Sequence, residues 1–269
     1  MSHNSRRDLP KKYNNSYIHI PRIEPEQRLA LICLFPELMK CVKRHDPILV
    51  LEAMMYLIRS GCQWRLLPPC YPHWKSVYNK WRYWNATGLF DKIHSVLLRH
   101  ARIKAGRNES PTVGFIDSAS RRSGLSDSAK GIDGFKKIKG IKRHIVVDSQ
   151  GNILCVHTTC ANVNDGKAGL EVIPCVKLKY PSLREIRADK GYRGHDVADM
   201  AEENGIALVR TKSNGGGQVF VPAQGRWVAE RTFSWLDNYR RLVRNYERSC
   251  ERATDMTVTA EIHRLMRFL

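Results

Sequence analysis

Residues 142–159, Lys-Arg-His-Ile-Val-Val-Asp-Ser-Gln-Gly-Asn-Ile-Leu-Cys-Val-His-Thr-Thr, decide the fold class of this chain of 269 residues. Lys142 to Val147 and Ile153 to Thr159 show the alternation that is typical of strands. Asp148-Ser-Gln-Gly151 between them suits a tight turn. The stretch therefore predicts two antiparallel strands that are joined as a hairpin.

A third strand precedes this hairpin, and strands then alternate with helices. Val113-Gly-Phe-Ile-Asp117 is predicted to be a short strand that ends in an aspartate, and residues 119–141 a loop rich in glycine and lysine. The later segments are a helix from Asp165 to Lys177, a strand from Leu183 to Asp189, a helix over 195–204, a strand from Ala207 to Thr211 and a long helix from Arg226. The order β-β-β-α-β-α-β-α over residues 112–269 predicts an α/β fold with helices packed on a mixed sheet.

The chain before this region is predicted to be helical, after a basic arm over residues 1–23. Within residues 24–105, one helix begins at His45-Asp46-Pro47 and a second begins near His73. Two helices broken by a turn fit a helix-turn-helix-like DNA-binding domain. The residues expected to contact DNA are on the polar face of the second helix: Lys75, Asn79, Lys80 and Arg82. A plain helical packing domain with a basic surface explains the same pattern equally well.

The net charge of +19 at pH 7 favours a polyanionic partner, although charge alone does not separate a nucleic-acid enzyme from a merely basic protein. No run of 18 apolar residues is present, and the polar N-terminus lacks the apolar segment of a secretory signal. We therefore expect a cytoplasmic protein without a membrane partner. The eight cysteines include no Cys-x-x-Cys pair and are expected to be small buried hydrophobes.

Acidic residues stand at the ends of two predicted strands and on the last long helix. Asp117 and Asp189 end strands, and Glu230 lies one turn into the helix. Carboxylates gathered at one sheet edge repel one another unless a cation such as Mg²⁺ or Mn²⁺ lies between them. The alternatives are that the two aspartates cap turns and that Glu230 pairs with a neighbouring arginine. Asp148 and Asp165 are assigned to a turn and a helix N-cap.

Five short motifs follow one another along the chain: Phe115-Ile-Asp-Ser-Ala119, Lys139-Gly-Ile-Lys-Arg-His-Ile-Val-Val-Asp148, Ala161-Asn-Val-Asn-Asp165, Arg187-Ala-Asp-Lys-Gly-Tyr192 and Arg226-Trp-Val-Ala-Glu-Arg-Thr-Phe-Ser-Trp235. In this order they resemble the DDE transposases of bacterial IS5-type insertion sequences, within the broader IS4/IS5 grouping. Upstream, Gly61-Cys-Gln-Trp-Arg-Leu-Leu-Pro68 and the segment from Trp74 to Trp84 resemble the N-terminal helical domain of that family.

The resemblance implies an RNase H-like fold for residues 112–269. It also implies that Asp117, Asp189 and Glu230 are the catalytic triad and hold two Mg²⁺ or Mn²⁺ ions per active site. The implied substrate is double-stranded DNA, cut at the inverted repeats of the element and joined to target DNA by strand transfer. The implied setting is the bacterial cytoplasm, in association with the nucleoid, and the implied assembly is a homodimer or larger.

The Tyr-x2-Arg-x3-Glu-x6-Lys signature of the family is matched only in part. Arg226 and Glu230 occupy the arginine and glutamate positions, and the resemblance implies that Arg226 contacts a phosphate near the cleaved bond. Ala223 and Asp237 stand where the family has tyrosine and lysine. The phosphate contacts that the family makes from those two positions therefore have no matching residue here.

Other basic residues are expected near the DNA. Arg240 or Arg241 lies one turn beyond the unmatched lysine position and could replace it. Lys142, Arg143 and His144 lie on a predicted strand near the site and are candidates for contacts with the DNA backbone. Because side chains alternate along a strand, only part of this group would face the site.

Two other functions fit the same residues. An RNase H-like nuclease or resolvase would share the carboxylates and the metal but would only hydrolyse DNA. A domesticated DNA-binding regulator would lack catalysis, and loss of a triad carboxylate would have indicated it. All three carboxylates are present in the sequence.

Overall fold

A computed structural model of the chain describes residues 22–40, 45–126, 128–189, 191–210 and 226–269, with the side chains of Lys40 and Arg226 left out. The helices that precede the sheet are α1 (Pro25–Leu34), α2 (Glu37–Lys40), α3 (Pro47–Ser60), α4 (Trp74–Ala86) and α5 (Leu89–Lys104). The elements that follow are β1 (Val113–Arg122), β2 (Gly131–Asp133), β3 (Ile138–Val147), β4 (Ile153–Cys160), α6 (Asp165–Lys179), β5 (Glu185–Ala188), α7 (His195–Glu203), β6 (Ala207–Arg210), α8 (Arg226–Asp237), α9 (Arg240–Val243) and α10 (Cys250–Leu265).

The predicted order of strands and helices is confirmed, with two corrections in the first part of the sheet. Strand β1 does not end at Asp117 but continues to Arg122, because Ser118 to Arg122 pair in antiparallel register with Gly140 to His144 of β3. The predicted loop over residues 119–141 contains the short strand β2, which pairs with the start of β3. Backbone pairing thus extends the sheet into a segment whose side chains are mostly polar.

The sheet is mixed, as predicted. Strand β3 pairs with β1 on one edge and with β4 and β2 on the other, in each case antiparallel. On the far side of β1, strands β5 and β6 run parallel to it. Helices α6 and α7 pack together beside the sheet, and α8 packs against β1 and β3. Strand β1 therefore lies between an antiparallel and a parallel neighbour.

The helix starts predicted in the N-terminal region are confirmed. The Asp46 carboxylate accepts a hydrogen bond of 3.0 Å from the Ile48 amide at the start of α3. Helix α4 begins after His73 and buries Val77, Trp81 and Trp84. A helix-turn-helix-like arrangement is not confirmed, because α3 and α4 are separated by residues 61–73, which include a 3₁₀ turn over Trp64–Leu66. A helix-turn-helix motif has a turn of about three or four residues.

Helix α10 joins the N-terminal helices to the sheet in one hydrophobic core. It packs against α3 and α5 on one side and against β4 on the other. The indole Nε1 of Trp81 in α4 donates a hydrogen bond of 2.9 Å to Thr259 Oγ1 in α10. The Arg102 guanidinium in α5 forms a buried ion pair of 2.6 Å with Asp148 in the β3–β4 turn. The domain boundary at residues 105–112 stays a prediction.

The cysteine prediction holds only in part. Among the described cysteines Cys155 is buried, whereas Cys33 and Cys175 are exposed, so the expectation of buried hydrophobes is wrong for those two. All seven described cysteines are free thiols. Within the described part of the chain, no helix has the length and apolar character needed to cross a membrane.

Candidate active site

Two of the predicted carboxylates lie side by side on neighbouring parallel strands. Ile116 of β1 is in register with Ala188 of β5, so the next residues, Asp117 and Asp189, leave the pair at the same level. Neighbouring strands lie about 4.8 Å apart. Asp117 Oδ1 accepts a hydrogen bond of 2.7 Å from the amide of Ser118, which fixes one of its oxygens.

Asp189 was predicted to be the last residue of a strand, and it directly follows Ala188, the last residue of β5. Its Oδ1 accepts a hydrogen bond of 2.8 Å from the Gly191 amide. This bond leaves the second carboxylate oxygen of Asp189 outside the backbone turn. One carboxylate oxygen of each aspartate thus accepts a hydrogen bond from a nearby backbone amide.

Glu230 is carried by α8, which docks on the turn of the β3–β4 hairpin. Thr232 Oγ1 donates a hydrogen bond of 2.9 Å to the Gly151 carbonyl, and the Arg231 guanidinium donates one of 3.0 Å to the Gln150 carbonyl. The apolar side of α8 is buried against the sheet through Val228, Ala229, Phe233 and Leu236. Glu230 lies on the exposed side of the helix.

The carboxyl of Asp117 is affected by the charges of the other two carboxylates. Burial, together with the negative charges of Asp189 and Glu230, raises the pKa of Asp117 to about 6, while the Ser118 amide and Lys136 act in the opposite direction. Two like charges that act on a third carboxyl disfavour its ionised form. The structure therefore brings the predicted trio into one electrostatic group.

This trio has the chemistry of a divalent-metal site. Carboxylate oxygens are the hard ligands that Mg²⁺ and Mn²⁺ take in proteins, and a cation would relieve the repulsion that raises the pKa of Asp117. In the described residues, no three His, Cys, Asp or Glu side chains stand close enough to hold an ion in their present conformations. The residue types fit a divalent metal. For the three carboxylates to bind one ion together, their side chains would have to move closer to one another.

A fourth carboxylate, that of Asp165, lies near Asp189, and its position in the sequence predicts a helix N-cap. The N-cap of α6 is instead Asn164, and Asp165 is the first residue of the helix. Asp165 Oδ1 accepts a hydrogen bond of 2.9 Å from Ser118 Oγ and lies 3.2 Å from Lys142 Nζ. A Cβ atom at Gly191 would lie 2.6 Å from Asp165 Oδ2 and 3.0 Å from Asp189 Oδ1. Only glycine leaves room for both carboxylates there.

Tyr192 and His144 form a buried layer beneath the carboxylates. The Tyr192 hydroxyl lies 3.1 Å from His144 Nδ1, and His144 Nε2 lies 3.1 Å from Thr159 Oγ1. Burial lowers the pKa of His144 to about 4. Burial and the charges of Asp165, Asp117 and Asp189 raise the pKa of the Tyr192 hydroxyl. Tyr192 belongs to the Arg187–Tyr192 motif, in which only Asp189 was predicted to be a site residue.

The three basic residues predicted on β3 are buried. Lys142 and His144 lie on the same face of the sheet, next to Asp165 of α6. The Lys142 ammonium donates a hydrogen bond of 2.9 Å to the Val163 carbonyl. Arg143 points to the other face, where its guanidinium donates a hydrogen bond of 2.7 Å to the Leu242 carbonyl. The expected contacts with the DNA backbone are thus corrected, because the Lys142 ammonium, the Arg143 guanidinium and the His144 ring are buried and have partners inside the protein.

The arginines beyond α8 differ in their exposure. Arg241 is buried, and its guanidinium pairs with Glu247 at 2.7 Å and bonds to the Cys62 carbonyl at 3.2 Å. This position therefore presents no cation to DNA. Arg240 is exposed. At the unmatched lysine position, Asp237 forms an ion pair of 2.7 Å with Arg121.

The side chain of Arg226, at the first position of α8, lies outside the described residues, as does the whole of Ala223. On α4, the predicted polar face is present. Lys75, Asn79 and Arg82 are exposed, and they recur at the spacing of one side of a helix. Lys80 is partly buried, and its ammonium lies 5.5 Å from the centre of the Tyr83 ring.

Comparison with known proteins assigns the chain to a family. A family described as "Transposase DDE domain" matches residues 108–256, and one described as "Putative transposase of IS4/5 family" matches residues 32–94. Over 126 residues the chain is 33% identical to a protein of Burkholderia cepacia described as "Putative transposase for insertion sequence element IS402", a match that covers 42% of this chain and 56% of that protein. The chain thus spans just over half the length of that relative. Since the first match covers more than half of the sequence and includes all three carboxylates, the chain belongs to the DDE transposases of the IS4/IS5 family.

Proposed function

We propose that this protein is a DNA transposase that binds the ends of an insertion sequence and carries out metal-dependent strand cleavage and strand transfer. The observation that carries the proposal is the electrostatic coupling of Asp117 to Asp189 and Glu230 within the segment that matches the DDE domain. Three carboxylates whose charges oppose one another are suited to hold cations at a phosphodiester bond.

The sheet supports the finer assignment of an RNase H-like fold to residues 112–269. Strand β1 carries the first aspartate between antiparallel β3 and parallel β5, and β5 delivers the second aspartate at its end. Helix α8, within the same matched segment, brings the glutamate. This arrangement follows the predicted order of elements.

Asp117, Asp189 and Glu230 would together hold two divalent cations, Mg²⁺ or Mn²⁺. When bound, these ions supply Lewis acidity that activates the attacking oxygen and stabilises the leaving oxygen of the phosphodiester. Asp117 and Asp189 are held by amides of their own strands and turns, so they form the fixed wall of the site. Glu230 lies on the exposed side of α8, and the DNA strand would approach from that side.

The proposed DNA contacts are basic and polar residues of three helices. Arg226, one turn before Glu230, would contact the phosphate next to the cleaved bond, and Arg240 would contact the backbone beyond it. On α4, the exposed residues Lys75, Asn79 and Arg82 would bind the terminal repeat. Joining two ends to one target requires two active sites, so we propose that the working form is a homodimer or larger.

Substitution of Glu230 by Gln tests the proposal, because it removes the charge and keeps the size. Incubated with Mg²⁺ and a duplex that carries the terminal sequence flanking the gene, the Glu230→Gln variant should lose cleavage and keep its affinity for the duplex. The matched control is Glu203→Gln, which neutralises an exposed acid of α7 and should cleave normally. Cleavage by the Glu230→Gln variant at the wild-type rate would overturn the assignment.

A second assay separates transposase from the two rival functions. A pre-cut end with a free 3′-OH is mixed with a supercoiled plasmid, and joined products are measured. Joining by the wild-type protein supports a transposase. Cleavage without joining would favour a nuclease that only hydrolyses, and binding without either reaction would favour a regulator.

A further inference from the structure

A basic groove lies along α8 beyond Glu230. Its cavity volume is about 390 Å³, and its cationic lining consists of Arg22, Arg59, Arg264 and Arg267. Trp235 and Tyr239 supply its aromatic wall. No Asp or Glu occurs among the described residues that line it. Such a groove is complementary to an anion that also presents apolar surface.

The groove is close to the candidate active site. Trp235, five residues after Glu230 on the same helix, lines it, and so does Asn238, which directly follows the last residue of α8. A helix rises about 1.5 Å per residue, so the groove begins about 8 Å from Glu230 along the helix axis. Arg22 and Arg59 reach it from the segment before α1 and from the end of α3. The N-terminal helices therefore take part in it.

Two of the arginines carry charge that the protein does not neutralise locally. Arg264 is paired with Glu261 at 2.6 Å. In contrast, Arg59 lies over the Tyr239 ring at 5.7 Å and Arg267 over the Phe268 ring at 4.7 Å, and within the described residues neither has a carboxylate within 4.0 Å. An aromatic ring orients a guanidinium and leaves its charge available to a ligand.

The state of His263 reflects the positive potential of the groove. Burial and the charge of Arg59 lower the pKa of His263 to about 4. The neutral ring keeps a hydrogen bond of 2.9 Å with the Tyr239 hydroxyl. The positive charge of the groove is therefore carried by its arginines and not by His263.

A basic and aromatic ladder connects the groove to the neighbourhood of Glu230. The Arg231 guanidinium lies between two indole rings, 4.4 Å from the centre of Trp227 and 4.7 Å from that of Trp235. Trp227, three residues before Glu230, is 53% exposed. Alternating cations and aromatic faces are the surface that nucleic-acid backbones and bases contact.

We propose that this groove binds the phosphodiester backbone of the DNA strand next to the bond cut at Asp117, Asp189 and Glu230. The proposal rests on the proposed function for the identity of that DNA, whereas the anionic character of the ligand follows from the groove. Arg59 and Arg267 each contact a phosphate. The DNA path thus runs from Glu230 along α8 towards the end of α3.

The test compares salt dependences of DNA binding. The full chain and the double variant Arg59→Gln/Arg267→Gln are titrated without divalent metal against a fluorescein-labelled 30-bp duplex at several salt concentrations. Each phosphate contact contributes about 0.9 to the slope of log K against log salt. The double variant should lose about two units of slope and bind more weakly. Thermal unfolding confirms that it is folded.

Two control variants separate the groove from net charge. Arg99→Gln/Arg184→Gln makes the same change in charge at two exposed arginines that do not line the groove, and it should keep most of the slope. Arg59→Lys/Arg267→Lys keeps the charges and should restore the slope. Equal losses in the groove variant and the Arg99→Gln/Arg184→Gln variant would overturn the proposal.

Chemical protection distinguishes DNA from a small anion. Phenylglyoxal modification of Arg59 and Arg267, followed by mass spectrometry, should be slowed by the 30-bp duplex. Inorganic phosphate at the same ionic strength should not slow it. Protection by phosphate alone would mean that the groove is a small-anion site and would overturn the DNA path. Because no metal is used, these outcomes stand apart from the cleavage test: a protein that binds through the groove but never cuts would contradict only the proposed function.

Discussion

The Ser118 hydroxyl donates a hydrogen bond of 2.9 Å to Asp165 Oδ1 on the face of β1 opposite to the neighbouring Asp117. Ser118 also gives its amide to Asp117, so one residue ties Asp165 to a candidate metal ligand. Asp165 in turn is paired with Lys142 and packs against Gly191 beside Asp189. We infer from these contacts that Asp165 positions both aspartates.

The first prediction is that Asp165→Asn lowers the apparent affinity for Mg²⁺ in the cleavage reaction. Groups that orient metal ligands typically contribute about 10–100-fold in metal affinity or activity, and we expect a loss in this range. The Mg²⁺ concentration that gives half-maximal cleavage measures it, with duplex affinity unchanged.

Asp199→Asn is its control, because Asp199 is an exposed acid of α7. Ser118→Ala should reproduce part of the effect of Asp165→Asn. If Asp165→Asn required no more Mg²⁺ than the control, the positioning role would be wrong.

The second prediction concerns the carboxyl of Asp117, whose pKa is raised from 3.8 to about 6. The folded protein binds this proton more tightly than the unfolded chain, so the free energy of unfolding falls as pH rises from about 4 to about 6. Above that range, the cost of ionising Asp117 is present in full. Without metal at pH 7.5, Asp117→Asn should therefore have a higher Tm than the wild type.

Two changes of condition should remove or reverse this difference in Tm. Near pH 4 the difference in Tm between Asp117→Asn and the wild type should vanish. Mg²⁺ stabilises a folded state that binds it, so it should raise the Tm of the wild type and much less that of the variant. Scanning fluorimetry with and without Mg²⁺ measures both effects. An equal rise in the two proteins would show that Asp117 is not a ligand.

The third prediction is that Gly151→Ala displaces α8. Gly151 has a φ of +81°, and an added Cβ would lie 2.9 Å from Thr232 Oγ1 and 2.9 Å from the Trp235 ring. The residue must therefore move away from the helix that carries Glu230. We expect a loss of about 1–3 kcal/mol in the free energy of unfolding and a fall in cleavage rate.

Gly88→Ala is the matched control, since Gly88 has a similar φ of +72° with no atom within 4 Å of the added Cβ. The Gly88→Ala variant has a similar backbone strain but no steric clash of the added Cβ. It should leave the cleavage rate unchanged. Chemical denaturation and cleavage measured on both variants separate the two contributions. Equal cleavage rates would mean that the turn does not set the position of α8.

The sequence predicted the order of elements because alternation and helical periodicity persist wherever one face is buried. It missed β2 and the end of β1 because Ser118 to Arg122 and Gly131 to Asp133 carry polar or glycine residues and are strands only through their partner β3. The local pattern of polar and apolar residues does not predict such pairing.

The candidate site could be predicted where sequence motifs mark its residues. It could not be predicted where contacts between distant parts of the chain determine which side chains are buried. Asp117, Asp189 and Glu230 could be named from strand ends and from the resemblance. Arg143 and Arg241 were expected at DNA, but their partners, the Leu242 carbonyl and Glu247, become visible only in the folded chain. The groove was equally hidden, because it joins residues from the first and last helices.

Helix α10 has a consequence for any exchange of segments between this chain and its relatives. It is bonded to α4 through Trp81 and Thr259 and packed against α3, α5 and the sheet. An exchange of residues 24–105 with those of a relative would leave α10 facing a foreign surface. If α4 binds DNA as proposed, its exposed side chains are therefore better replaced one at a time than by grafting the whole segment.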